Sequence, residues 1–436
     1  MKAKRIVSIL LTGSMLLSLL PVSALAAAPV FDAPAQTTAK KAAPLVQEAD
    51  ASRSTEEEAA TRSSRDLDAE NGTADSITIQ LNADGTPAGY GDGEHWYYSA
   101  ASGCQLDTGV FALQPSSEPE AESALKARLF RIGDKAELVR GTVGCGTNNY
   151  GTIFDGIFQG KVANFRTISG GTFQGEVNNW ETISNGTFQR EVDNAGTISG
   201  GTFQGGSYNF RGTISNGTFQ GILHNDSGTI SGGTFKEVVE VNAASGAEAK
   251  IEGGTFEKRV KLENNDAPIT ISDGLFNGAV VDEGCRAPLS ITGGLFTKAV
   301  DVSRIIPDNL SITGGYFVSK PTVPEGSVSF TSVSDQAGRA FQVFVNNDWS
   351  EDGYETLYVP SESTIAIKTP TKLLYYLADG ERFPVPDSNG DSYIYEIPVQ
   401  GYEKIVLVTE EPSAPPTDNP GELDPAFSSG AAALGV

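Results

Sequence analysis

Residues 167–180 read TISGGTFQGEVNNW, residues 182–195 read TISNGTFQREVDNA, and residues 197–210 read TISGGTFQGGSYNF. The three segments recur every 15 residues, and in the first of them the apolar positions are Ile168, Phe173 and Val177. Polar residues flank each apolar one, so the alternation has period two, the grammar of short strands. The pattern extends both ways. Isoleucine stands at 153, 168, 183, 198, 214, 230, 251, 271, 291 and 312, and a phenylalanine follows each one five residues later, from Phe158 to Phe317. The interval is 15–16 residues up to Ile230 and 20–21 beyond it. The third residue after every isoleucine is glycine, as at Gly156, Gly171, Gly186 and Gly274, and Gly170, Asn185 or Asp273 precedes it. These residue types tolerate positive φ, so the chain bends sharply there. Paired glycines and a period of two exclude a helix.

A single coil of this kind cannot bury its Ile, Phe and Val faces. Coils stacked along one axis bury each residue against its counterparts above and below. Backbone pairing between coils repeats about every 4.8 Å, so ten coils make a rod roughly 48 Å long. The expected fold is all-β, a parallel β-helix or β-solenoid of about ten coils over residues 141–320. A second column supports it. Asn149, Asn164, Asn179, Asn194, Asn209 and Asn225 share one place in the coil, two residues after Val162, Val177, Val192, Ser207 and Leu223. Alternation turns both columns inward, where stacked amides satisfy one another along the rod. The arrangement resembles the asparagine ladders of right-handed parallel β-helix proteins. It lapses in the longer coils, where Leu262, Asp282 and Val302 take the place and about five extra residues form a looped-out corner.

The flanks are not repetitive. Lys2, Lys4 and Arg5, the apolar run Ile6–Leu20 and the Ala24-Leu25-Ala26 site mark residues 1–26 as a signal peptide, which places the mature chain outside the cell. No later stretch is apolar enough to insert into a membrane. Residues 27–76 read as a disordered spacer rich in Ala, Thr, Ser and Glu. Residues 77–140 read as a small mixed module that caps the array, with a strand at Ile77–Leu81, a second near Val110–Leu113, and a short helix opened by Ser117 and Glu120. From 321 to 410 several alternating stretches read as a small all-β module, with Asn389-Gly390 as a hairpin turn. Residues 411–436 form a Pro-rich disordered tail whose small apolar ending reads as that of a truncated chain.

Composition narrows the function. The net charge is −24, and removing the three basic residues of the leader takes it to −27. Such a charge repels nucleic acid and anionic membranes. Two histidines, His95 and His224, leave little room for histidine-based catalysis or metal binding. The three cysteines, Cys104, Cys145 and Cys285, form no metal-ligand cluster; Cys104 with Cys145 is one possible disulfide.

The ISGGTF unit at 168–173, 198–203 and 230–235, with its Val-x-Asn return, resembles repeats of secreted surface proteins of gut Clostridia. Trp96-Tyr97-Tyr98 through Phe111-Ala112-Leu113 is similar to the small module preceding such arrays. The resemblance spans roughly residues 77–320. It implies a bacterial cell-surface protein without catalytic residues, of a kind often continued by S-layer homology modules. This chain carries no such module and no LPxTG sorting signal.

Three chemistries are compatible with such a rod. Parallel β-helices include polysaccharide lyases and hydrolases, which gather acidic and basic groups on one face. Here His224 has only Asp226 near it in sequence, and Glu176, Glu191, Asp193 and Glu237 read as solubilising charges spread over the turns. No catalytic site, metal site or cofactor is expected. Asp387, Asn389 and Asp391 resemble the start of a calcium loop but lack its sixth-position Gly and twelfth-position Glu. The feature that points to a ligand is aromatic. Tyr150, Phe165, Trp180 and Phe210 each follow a ladder asparagine, and the column is interrupted by Ala195 and Asp226. Outward-facing, they make a stripe suited to an extracellular glycan or cell-wall polymer; turned on each other, they only pack. Gln159, Gln174, Gln189, Gln204 and Gln220 form a further outward polar column. The expectation is a non-enzymatic stalk, adhesin or spacer, with a glycan-binding protein as the alternative and a β-helix lyase or hydrolase as the second alternative.

Overall fold

The computed structural model describes residues 76–118, 123–243, 246–263, 267–385 and 393–411. The chain divides into Met1–Ala69 and Glu70–Val436, and every described residue belongs to the second unit. The expected signal peptide, nearly all of the expected spacer, Glu120, residues 387–391 with the expected Asn389-Gly390 turn, and residues 412–436 lie outside the described residues.

A parallel β-solenoid of about eleven turns dominates the unit. Each coil contributes one short strand to each of three parallel sheets. In the isoleucine sheet Thr167 and Ile168 pair with Thr182 and Ile183 above and with Thr152 and Ile153 below. In the phenylalanine sheet Thr172 and Phe173 pair with Thr187 and Phe188. In the third sheet Val177, Asn178 and Asn179 pair with Val192, Asp193 and Asn194. Like therefore lies on like. The ten phenylalanines from Phe158 to Phe317 are at most 1% exposed. Their rings stack face to face with centroids 4.4–5.0 Å apart. Each buried ring removes apolar surface worth about 2–3 kcal/mol. The bend between the first two sheets uses the glycines expected there, with φ from +98° to +138°.

The row of columns begins earlier than the repeats do. Phe130–Arg140 pairs in parallel with Gly103–Gln114 below and with Thr147–Asn149 and Thr152–Ile153 above. Phe111 and Leu138 thus continue the isoleucine column, and Leu106 and Ile132 continue the asparagine column with apolar side chains. The helix expected after Ser117 is not found among the described residues. Residues 123–129 carry no helix, and Leu125 bridges Val143 in parallel, one coil below Phe158. Leu125 and Phe130 are fully buried, and only extended backbone lets both fill inward columns. The one helical turn among the described residues is Pro307–Asn309.

At the other end the stack stops when Phe330 turns edge-on to Phe317, at 5.6 Å and 82°. The final strand Tyr316–Phe317 then pairs antiparallel with Thr356–Pro360. That strand belongs to a two-sheet module with its own core, including Val343, Ile367, Ile397, Ile405 and Leu407. The module also reaches back along the solenoid. Asn346 accepts a hydrogen bond from the Gly254 N–H and donates one to the Gly254 carbonyl, both at 3.1 Å.

Candidate ligand-binding face

The third sheet positions the residues that matter. In its strands the Val and Asn positions point inward and are buried, while the residues before, between and after them point out. The inward asparagines form a continuous ladder. Asn149, Asn164, Asn179, Asn194 and Asn209 each donate from Nδ2 to the Oδ1 of the next, at 2.6–2.7 Å, ending on Asn225. The second amide hydrogen goes to a backbone carbonyl, such as Glu181 for Asn179 and Gly196 for Asn194. Every member is satisfied, so the ladder holds the corner rigidly and sets the pitch at which the outward side chains stand.

Of the four aromatic residues that follow ladder asparagines, the structure brings three together. Tyr150, Phe165 and Trp180 stack with centroids 4.8 and 4.6 Å apart and planes within 6° of parallel. The Arg131 guanidinium lies 4.7 Å from the Tyr150 ring. The faces between these three rings are internal to the row. Phe210 stands apart, two coils beyond Trp180, with exposed Ala195 between them. Trp180 is 45% exposed and Phe210 50%. Arg211 lies 5.4 Å from the Phe210 ring.

The residue between Val and Asn forms a second outward column, which the sequence analysis did not identify. It runs Asn178, Asp193, Tyr208, His224, Glu240 and Lys261, paired strand to strand. Tyr208 stacks on His224 at 4.5 Å. His224 Nδ1 lies 2.9 Å from Glu240, whose other oxygen accepts from Lys261 at 3.1 Å. Lys261 and Arg259 both approach Glu283, at 3.6 and 3.7 Å. Charges therefore do concentrate on one face, contrary to the sequence reading that scattered them over the turns. The signal was available: these residues share one offset, directly after Val192, Ser207, Leu223, Val239 and Val260. A third column, before the valines, places Lys161 3.3 Å from Glu176, with Glu191 next. Burial raises the Glu191 carboxyl above its usual range, with Asp193 and Glu176 adding repulsion. Burial likewise raises Asp193, with Lys161 opposing and Glu176 adding.

Phe165, Trp180, Tyr208, Phe210 and Ile222 all rank among the exposed large apolar residues, and all five lie on this face. Among the described residues no group of three or more His, Cys, Asp or Glu side chains could hold a metal ion. No helix among them is long and apolar enough to cross a membrane. A polar cavity of about 260 Å³ lies elsewhere, where Asn346 meets Glu252 and Asp273. Cys104 and Cys145 are both thiols. No protein-family model, curated protein or solved structure matches this chain.

Proposed function

We propose that this chain is a non-enzymatic surface repeat protein whose solenoid acts as a rigid stalk or spacer. The observation that supports this most directly is the uninterrupted in-register stack from Phe158 to Phe317. A rod in which each coil touches only its neighbours changes length without changing its construction. The leader-like residues 1–26, the net charge of −24 and the resemblance to clostridial surface repeats support an extracellular, cell-surface setting. Deleting residues 167–196, two whole 15-residue coils, tests the spacer role. The deletant is expected to fold cooperatively and to shorten by roughly 9–10 Å in solution scattering. Failure to fold would show that the coils are not interchangeable units, and the spacer reading would go with it.

A second reading, binding to an extracellular glycan or wall polymer, is favoured by the five exposed apolar side chains gathered with carboxylates on one sheet. Carboxylates accept hydrogen bonds from sugar hydroxyls, and aromatic surfaces stack on pyranose faces. Binding to a glycan array that disappears in the Phe165→Ala, Trp180→Ala double variant is the expected outcome. Release of reducing ends or unsaturated products from pectin or mucin would instead place the chain among β-helix hydrolases or lyases.

A further inference from the structure

We propose that the gap over Ala195, between Trp180 and Phe210, is a binding notch for one neutral pyranose ring. The inference rests on the glycan-binding reading and names its site and ligand class. Ring follows ring from Tyr150 to Trp180 at 4.6–4.8 Å, and the next coil offers only a methyl group. Backbone register is kept across the interruption: the Ala195 N–H donates to the Asn179 carbonyl at 2.8 Å, and Asn194 pairs with Asn209. Trp180 and Phe210 are therefore separated by two coil steps, roughly 9–10 Å. That spacing admits one ring at the stacking distance of the row itself. Among the described residues, no protein ring stacks on the second face of Trp180, so this is the one place in the row where an indole face is open to a ligand.

The polar surroundings select the ligand. Asp193 lies on the strand Val192–Asn194, two residues before Ala195, and both are exposed. Glu191 is two residues before that, and Glu176 one coil below it. Carboxylates only accept hydrogen bonds, so the ligand must bring hydroxyl or amide donors. Three carboxylates against Lys161 repel uronate and sialate sugars. The Arg211 guanidinium beside Phe210 supplies donors for the ligand's own oxygens.

The test uses the full chain carrying Trp96→Phe and Trp349→Phe, which leaves Trp180 as its one indole. Its fluorescence is titrated with cellohexaose, chitohexaose and, as the anionic probe, hexagalacturonate. Quenching by a neutral hexamer, at least tenfold weaker with hexagalacturonate, is expected. Ala195→Phe fills the notch and continues the ring row, so it should weaken binding at least tenfold while leaving the melting temperature unchanged or higher. Undiminished binding in Ala195→Phe, with loss in Trp180→Ala when binding of the same hexamer is measured by calorimetry, overturns the notch but leaves the glycan reading intact. Equal binding of hexagalacturonate overturns the neutral class. No quenching by either neutral hexamer overturns both the notch and the reading beneath it.

Discussion

Two residues in the columns carry consequences that their neighbours do not. Thr147 occupies the valine place between Phe130 and Val162. Its hydroxyl is buried with no hydrogen-bond partner among the described residues. Valine has nearly the same shape without the unmet polar group, so Thr147→Val should raise stability by about 1 kcal/mol, read from urea denaturation. Cys104 is the second. Burial, with Cys145 nearby, pushes its thiol up to about 12 from an unfolded value of 9.0. A raised pKa means that the stabilisation is complete below pH 9 and is lost as pH rises toward 12, because the unfolded chain gives up the proton first. Wild-type stability should therefore fall more steeply across that window than that of Cys104→Ala. The comparison is needed because Tyr316, Tyr354 and Tyr376 are also raised by burial and titrate nearby.

The element that repeats most faithfully is the bend between the isoleucine and phenylalanine strands. Gly186 sits there at φ +130°, and a Cβ on it would lie 3.2 Å from both the Gly171 carbonyl and the Phe188 ring. Gly186→Ala meets backbone strain and a contact that the coil below cannot relieve, so it should cost about 1–3 kcal/mol. A thermal melt checks it, with Ala163, half-buried in the middle of the strand Val162–Asn164, as the site for a neutral Ala163→Ser control. The asparagine ladder shows the other way an element persists. It runs only while coils are 15–16 residues long, and Val241 and Leu262 replace it once the corner opens into a loop. Amides are used where the corner is tight and carbonyls are within reach. Apolar side chains are used where they are not.

At the scale of the molecule, a solenoid has two open ends. Strand Ile77–Gln80 covers one by pairing in parallel with Phe111–Gln114, and Phe330 with the C-terminal module covers the other. Removing residues 76–114 would expose Phe130, Ile132 and Leu138 along an unpaired strand edge. Such edges template association, so the truncated chain should form soluble oligomers or aggregate, seen by light scattering, where the intact chain does not.

How much of this was legible beforehand follows from how the contacts are made. In a translational stack each side chain meets its own counterpart one coil away. Tertiary packing is then written as a period in the chain, and Ile168 over Ile183 or Asn179 over Asn194 can be read without coordinates. The aromatic row was legible for the same reason, at one offset after each ladder asparagine. Contacts between unlike and distant residues carry no period. Leu125 under Val143, Phe111 under Leu138, Phe330 against Phe317 and Asn346 on Gly254 are of that kind. The outward column of Asp193, Tyr208, His224, Glu240 and Lys261 also keeps one offset, and Ala195 interrupts the aromatic row at its own offset, so both could be read from the repeat. That residues 123–129 carry no helix was decided by packing among groups that no repeat relates. The coil was settled by local alternation and glycine bends; its ends, and the contacts among its outward side chains, were settled only when the coils closed on one another.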